Sequence, residues 1–87
     1  MGMPCEINTI LKLTPAQGYP ADLAVGQSFV VSKSDYRLFA LDVPIQLVDE
    51  QWQAQADVII REMTWRARQT HLRAEIVRRY EQPFSMK

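Results

Sequence analysis

The run Tyr-Arg-Leu-Phe-Ala-Leu-Asp-Val-Pro-Ile-Gln-Leu-Val at residues 36–48 constrains the fold most, because both of its faces are apolar. In an extended chain Tyr36, Leu38 and Ala40 fall on one side and Phe39, Leu41 and Val43 on the other. A strand with two apolar faces must be covered on both, which places it in the middle of a small domain. Pro44 interrupts the run, and proline is confined to strand starts, edges or bulges because it has no N–H to donate. Two strands meeting at a corner, Asp42-Val43-Pro44, are therefore expected.

The rest of the chain arranges itself around that run. Cys5, Ile7, Thr9, Leu11 and Leu13 alternate with Glu6, Asn8 and Lys12, which predicts a strand over 5–13. Thr14-Pro15 ends it, and Pro15, Gly18, Pro20 and Gly26 make residues 14–27 mostly loop, with room for one helical turn at Pro20. Phe29, Val30 and Val31 resume extended structure. Ser32-Lys33-Ser34-Asp35 is a tight-turn sequence that would set this strand antiparallel to the one beginning at Tyr36. Residues 51–82 carry two patterns. As helix, Trp52, Ala56, Ile59, Ile60, Met63 and Ala67 form a stripe that Leu72, Ile76 and Tyr80 continue. As strand, Ala54, Ala56, Val58 and Ile60 share one face, and a bulge near Arg61-Glu62 is needed before Met63 and Trp65. Periodicity alone favours helix here.

A chain of 87 residues makes one domain and buries about 60 to 65 percent of the surface its unfolded form exposes. Self-association would supplement so small a core, and a homodimer through a sheet edge is one expectation. No apolar run reaches the roughly 18 residues of a membrane span. The first residues lack a signal peptide's basic region and apolar core. With a single cysteine, Cys5, no internal disulfide can form, which points to a reduced, cytoplasmic setting. The net charge is zero but unevenly spread. Residues 1–50 hold six acids against three bases, and residues 51–87 hold seven bases against four acids.

Two stretches carry a resemblance: Met1-Gly-Met-Pro with Glu6-Ile-Asn-Thr, and Tyr36-Arg-Leu-Phe-Ala-Leu-Asp-Val-Pro-Ile. They resemble a family of short bacterial and cyanobacterial proteins of unknown function, domain-of-unknown-function family 2584. The likeness extends to a Thr-Trp pair like Thr64-Trp65 before a final strand. Members carry an obvious turn near 66–69, where this chain has Arg66-Ala-Arg-Gln, and that implies a hairpin of 53–65 with 70–81. The family implies no activity. Its shape is similar to the small β-barrels of the PUA (pseudouridine synthase and archaeosine transglycosylase) type. The fold expected is thus all-β: a small, antiparallel, partly closed barrel of five or six strands near 5–13, 28–33, 36–42, 45–49, 53–65 and 70–81. The alternative is α+β with helices in 51–82.

Catalysis needs a positioned nucleophile, base and orienting group, and candidates are few. Cys5 and His71 are each the only residue of their kind, and Cys5 lies on an apolar face where an inert thiol is usual. No metal-ligand spacing, phosphate loop or nucleophile elbow is present. Asp35, Asp42, Asp49 and Glu50 fit turn chemistry. No enzyme activity, cofactor or metal is expected. The strongest functional signal is basic. Residues 61–79 carry six arginines against Glu62 and Glu75, and guanidinium groups suit phosphate contacts and stacking. Arg66 and Arg68 would sit at the hairpin tip with Trp65 beside them, while His71, Arg73 and Arg79 would share one strand face. A binding or interaction module follows, with RNA the first ligand to test. The plainer reading is a solvated structural face whose Arg73 and Arg79 meet Asp35, Asp42, Asp49 or Glu50.

Overall fold

The computed structural model describes residues 7–86. Residues 53–85 form one long antiparallel hairpin of β6 (Gln53–Arg66) and β7 (Gln69–Ser85). The helical alternative for 51–82 is overturned. An isolated helix would leave the 36–48 run uncovered, whereas a hairpin offers an apolar face to it. Ala67 and Arg68 close the turn with φ of 52° and 60°. Both residues are left-handed, the geometry that lets a two-residue turn follow the twist of its strands. The hairpin gives the molecule its long axis, 44 Å against 25 and 24 Å.

Five strands make the main sheet, in the order β2 (Ile10–Lys12), β5 (Pro44–Val48), β6, β7, β3 (Ser28–Ser34). The β2–β5 pair is parallel and the other neighbours are antiparallel. A second, two-stranded parallel sheet joins β1 (Ile7–Asn8) to β4 (Leu38–Phe39). A 3₁₀ turn at Pro15–Gln17 follows β2. The core lies on the concave face. Leu11, Leu47, Val58, Ile60 and Ile76 are fully buried there, and Phe39 closes over them.

Four expectations are corrected. Among the described residues the sheet does not close into a barrel of the PUA type or any other. Its edge strands β2 and β3 approach each other, but what joins them is a side chain: Lys33 Nζ donates to the Lys12 carbonyl at 2.5 Å. A three-residue β2 cannot supply a closing ladder. Next, β3 pairs with β7 and not with the strand after Tyr36. The 36–42 run is not the central strand either. It holds only the two-residue β4, and Tyr36, Leu41 and Val43 stay 61, 43 and 46 % exposed. The central strand is β6. Finally, the 5–13 strand breaks at Thr9 into β1 and β2, which join different sheets; Cys5 and Glu6 lie outside the described residues.

Other expectations hold. The corner at Asp42 has φ 61°, and Pro44 begins β5, where its missing N–H breaks no ladder. The bulge between Ile60 and Glu62 is present, and beyond it Met63 packs against the core. A larger irregularity follows in β7. Residues 80–83 face Gln55 alone, between the pairs Ala56 with Arg79 and Ala54 with Phe84. Pro83 sits inside that bulge, where no ladder bond is asked of it.

Candidate nucleic-acid interface

Register decides which basic residues meet. Directly paired residues of neighbouring strands share a face. Val30, Arg73 and Glu62 form one cross-strand row over β3, β7 and β6; Ser32, His71 and Thr64 form the next; Gln69 and Arg66 pair in the third. This is the solvent face, because Thr70, Leu72 and Ala74 between them are buried on the other side. The rows line an open groove of about 400 Å³. In it Ser32 Oγ and His71 Nδ1 are 3.0 Å apart, and Arg73 pairs with Glu62 at 2.6 Å.

His71 and Arg73 share one strand face, and Arg66, expected only at the hairpin tip, lies on that face as well. Arg79 does not. One extra residue, Val77, stands in β7 between the pairs Val58 with Ile76 and Asp57 with Arg78. That single insertion reverses the alternation, so Arg79 faces the side of Ala56. The predicted acidic partners also differ. Arg73 meets Glu62, a neighbour across the hairpin, and it is Arg61 that reaches Asp42 at 3.2 Å and Glu75 at 3.7 Å. Asp49 spends its carboxylate locally, accepting the N–H groups of Gln51 and Gln53.

The hairpin tip is a second cluster, held by the segment 35–37. Asp35 N–H donates to the Arg68 carbonyl at 2.7 Å, and Arg68 N–H donates to Tyr36 Oη at 3.0 Å. The buried Thr70 hydroxyl accepts Arg37 N–H and donates to the Asp35 carbonyl, both at 2.8 Å. Trp65 Nε1–H donates to the Arg37 carbonyl at 2.8 Å. The polar atoms of both aromatic residues are thus occupied while Tyr36 and Trp65 remain 61 and 51 % exposed. Arg37 and Arg68 belong to this cluster through their backbones and Arg66 follows Trp65 on the other face of β6; none of the three takes part in the three salt bridges among the described residues. Tyr36, Arg37, Ser32 and Thr64 were not singled out from the sequence. Their sequence neighbourhoods carry no sign of it: Arg37, Tyr36 and Ser32 join the site through partners 28, 32 and 39 residues away, and Thr64 joins through the register of the hairpin, which pairs it with His71.

The family model described as Domain of unknown function (DUF2584) matches residues 1–80. The chain belongs to that family. Its fold is similar to that of protein ytmB from Bacillus subtilis, known from an X-ray crystal structure, with a TM-score of 0.72 at 20% identity. The alignment covers 92% of this chain and 95% of that one. No curated protein matches. Membership and likeness agree with a sheet-rich small domain and bring no activity with them. Among the described residues no helix is long and apolar enough to cross a membrane, and no group of His, Cys, Asp and Glu is placed to hold a metal ion.

At the far end of the hairpin Tyr80 donates its hydroxyl to Asp57 Oδ1. Burial first, then this bond and the Asp57 charge, push its pKa up to about 12. The folded state keeps Tyr80 neutral where the unfolded chain would ionise it. Its contribution to stability is complete below the ordinary value of about 10 and disappears as pH rises through about 12. A tyrosinate absorbance titration should show a component with that late midpoint, and Tyr80→Phe should remove it. An unchanged titration in the variant would refute the assignment.

Proposed function

We propose that this chain is a non-enzymatic binding module that takes single-stranded RNA at the tip of the β6–β7 hairpin. One observation carries the reading. Two exposed aromatic rings, Tyr36 and Trp65, have their polar atoms tied to the backbones of Arg68 and Arg37, and Arg66 follows Trp65 on the other face of β6. Rings fixed in this way offer faces on which bases stack, at about 1–3 kcal/mol per base, and guanidinium groups without an acidic partner follow the phosphates. The nearest hydroxyl and imidazole pair, Ser32 and His71, is exposed and has no third group to orient it, which supports a role in binding and not in catalysis.

The test is a filter-binding titration with mixed-sequence RNA at about 50 mM salt, repeated as salt rises. Retention at micromolar protein is expected, with log affinity falling linearly in log salt. Replacing Arg66 and Arg68 together by glutamine should reduce that slope by about one to two units and weaken all sequences alike. Folding stability should move by less than about 1 kcal/mol, because both side chains are exposed. No retention at low salt, or an unchanged slope in the double variant, would reject the RNA reading.

A further inference from the structure

The groove on the solvent face of β3, β7 and β6 lies next to the tip, but its chemistry differs. It has no exposed aromatic ring. It has a centre, His71, with a hydroxyl on either side across the sheet: Ser32 on β3 and Thr64 on β6. Cross-strand neighbours of this kind stand about 4.5–5.5 Å apart at Cβ. Arg73 follows two residues along β7, on the same face. Arg66 occupies the diagonal position, beside Thr64's row. Four side chains that can donate hydrogen bonds thus flank a single imidazole, two directly across the sheet and two at the next positions along the same face.

Two of them are already engaged. Ser32 Oγ lies 3.0 Å from His71 Nδ1. When the hydroxyl donates to Nδ1, the ring proton sits on Nε2, and that N–H is the free donor. Arg73 gives one nitrogen to Glu62 at 2.6 Å, which satisfies the carboxylate and leaves Arg66 without an acidic partner. Neither the Thr64 hydroxyl nor Arg66 makes a side-chain hydrogen bond with the protein, so the donors exceed the acceptors on this face.

We infer that this groove is a subsite for a phosphate monoester, the phosphate of a nucleotide arriving either free or at the end of an oligonucleotide. A monoester presents three acceptor oxygens and about −1.5 to −2 charges at pH 7. An internal phosphodiester presents two such oxygens and one charge. A cluster of donors spread around one point, and not along a track, matches the three-oxygen group. Guanidinium forks add geometric preference for phosphate over a simple anion. The inference deepens the RNA reading by giving the bound strand an end, and it rests on that reading only for the oligonucleotide source.

The experiment is a ¹H–¹⁵N NMR titration of the full chain with four probes: AMP, adenosine, hexauridylate carrying a 5′-phosphate, and hexauridylate without one. AMP and the phosphorylated oligonucleotide should shift the His71 ring nitrogens and the Thr64 and Arg66 signals. Adenosine and the unphosphorylated oligonucleotide should leave those signals in place. Arg66→Gln and His71→Gln should each weaken AMP binding at least tenfold. Ser32→Ala should change the His71 ¹⁵N tautomer signature as well as the affinity, which a merely structural serine would not do. Each variant's dispersed spectrum shows that it still folds. Groove signals that ignore AMP at millimolar concentration, or that move equally with adenosine, would overturn the subsite. If hexauridylate shifts the Trp65 indole while AMP moves nothing, RNA binding stands and the subsite falls. If AMP shifts His71 while neither oligonucleotide binds, the subsite stands and the RNA reading falls.

Discussion

Ile60→Ala is expected to destabilise the protein by about 2–5 kcal/mol, the usual range for removing a buried isoleucine side chain. Ile60 is fully buried in β6, the strand with the greatest apolar coverage. Its backbone also anchors the 36–43 segment, because its carbonyl accepts the Asp42 N–H at 3.1 Å and it bridges to Leu41. The cavity therefore opens where the hairpin meets the run that covers it, and neither side can collapse without moving the other. A chain of 87 residues has roughly 4–13 kcal/mol of stability, at about 0.05–0.15 kcal/mol per residue. The variant should lose a large part of that and melt at least about 10 °C lower. Val30→Ala is the control. Val30 is 71 % exposed on the groove face, and its truncation should stay within about 0.5 kcal/mol. Equal effects at the two positions would mean that the concave face is not the core.

Gly18→Ala should cost a similar amount for a different reason. Gly18 closes the Pro15–Gln17 turn with φ of 106°, and a Cβ there would stand 2.6 Å from the Val30 carbonyl oxygen. The left-handed backbone costs an alanine about 1–2 kcal/mol. Overpacking against backbone adds about 1–3 kcal/mol more, since a carbonyl in a paired strand cannot rotate away as a side chain would. Gly26 separates the two causes. Its φ is 91°, but nothing lies within 4 Å of its Cβ position, so Gly26→Ala should show the backbone cost alone. Denaturant unfolding of both variants checks this. Equal losses would show that the turn does not press on β3. A greater loss at Gly18 would establish that this turn braces the outer edge of the sheet.

Much of the fold was legible in the sequence because it is local. The alternation of Ala54, Ala56, Val58 and Ile60 marks β6, and all four are fully buried on one face. The need to bring Met63 back toward the core called for a bulge near Arg61, and the register shifts there. Pro44 announced the start of β5 because it has no N–H to give a ladder. The choice between helix and hairpin in 51–82 was not legible from periodicity, since the apolar residues satisfy both spacings. It took the family resemblance to favour a turn at Ala67-Arg68, and neither residue is a usual left-handed one.

What the sequence by itself determined is the set of strands, most of their limits, and the presence of a basic segment near the hairpin tip. What only the tertiary structure decided is pairing and register. The two-faced run at 36–48 reads as a central strand, yet its first half lies at the side of β6, and Tyr36 and Arg37, with Asp35 just before them, serve as a brace for the tip. Nothing in a strand's own residues states which strand will lie beside it, because hydrogen-bonding edges look alike from every side chain. The site depends on the same information. His71 gains Ser32 and Thr64 through pairings of 39 and 7 residues' separation, and Arg79 loses its place beside His71 through one inserted valine. Side chains alternate with a period of two, so a single extra residue in β7 moves a charge to the opposite face.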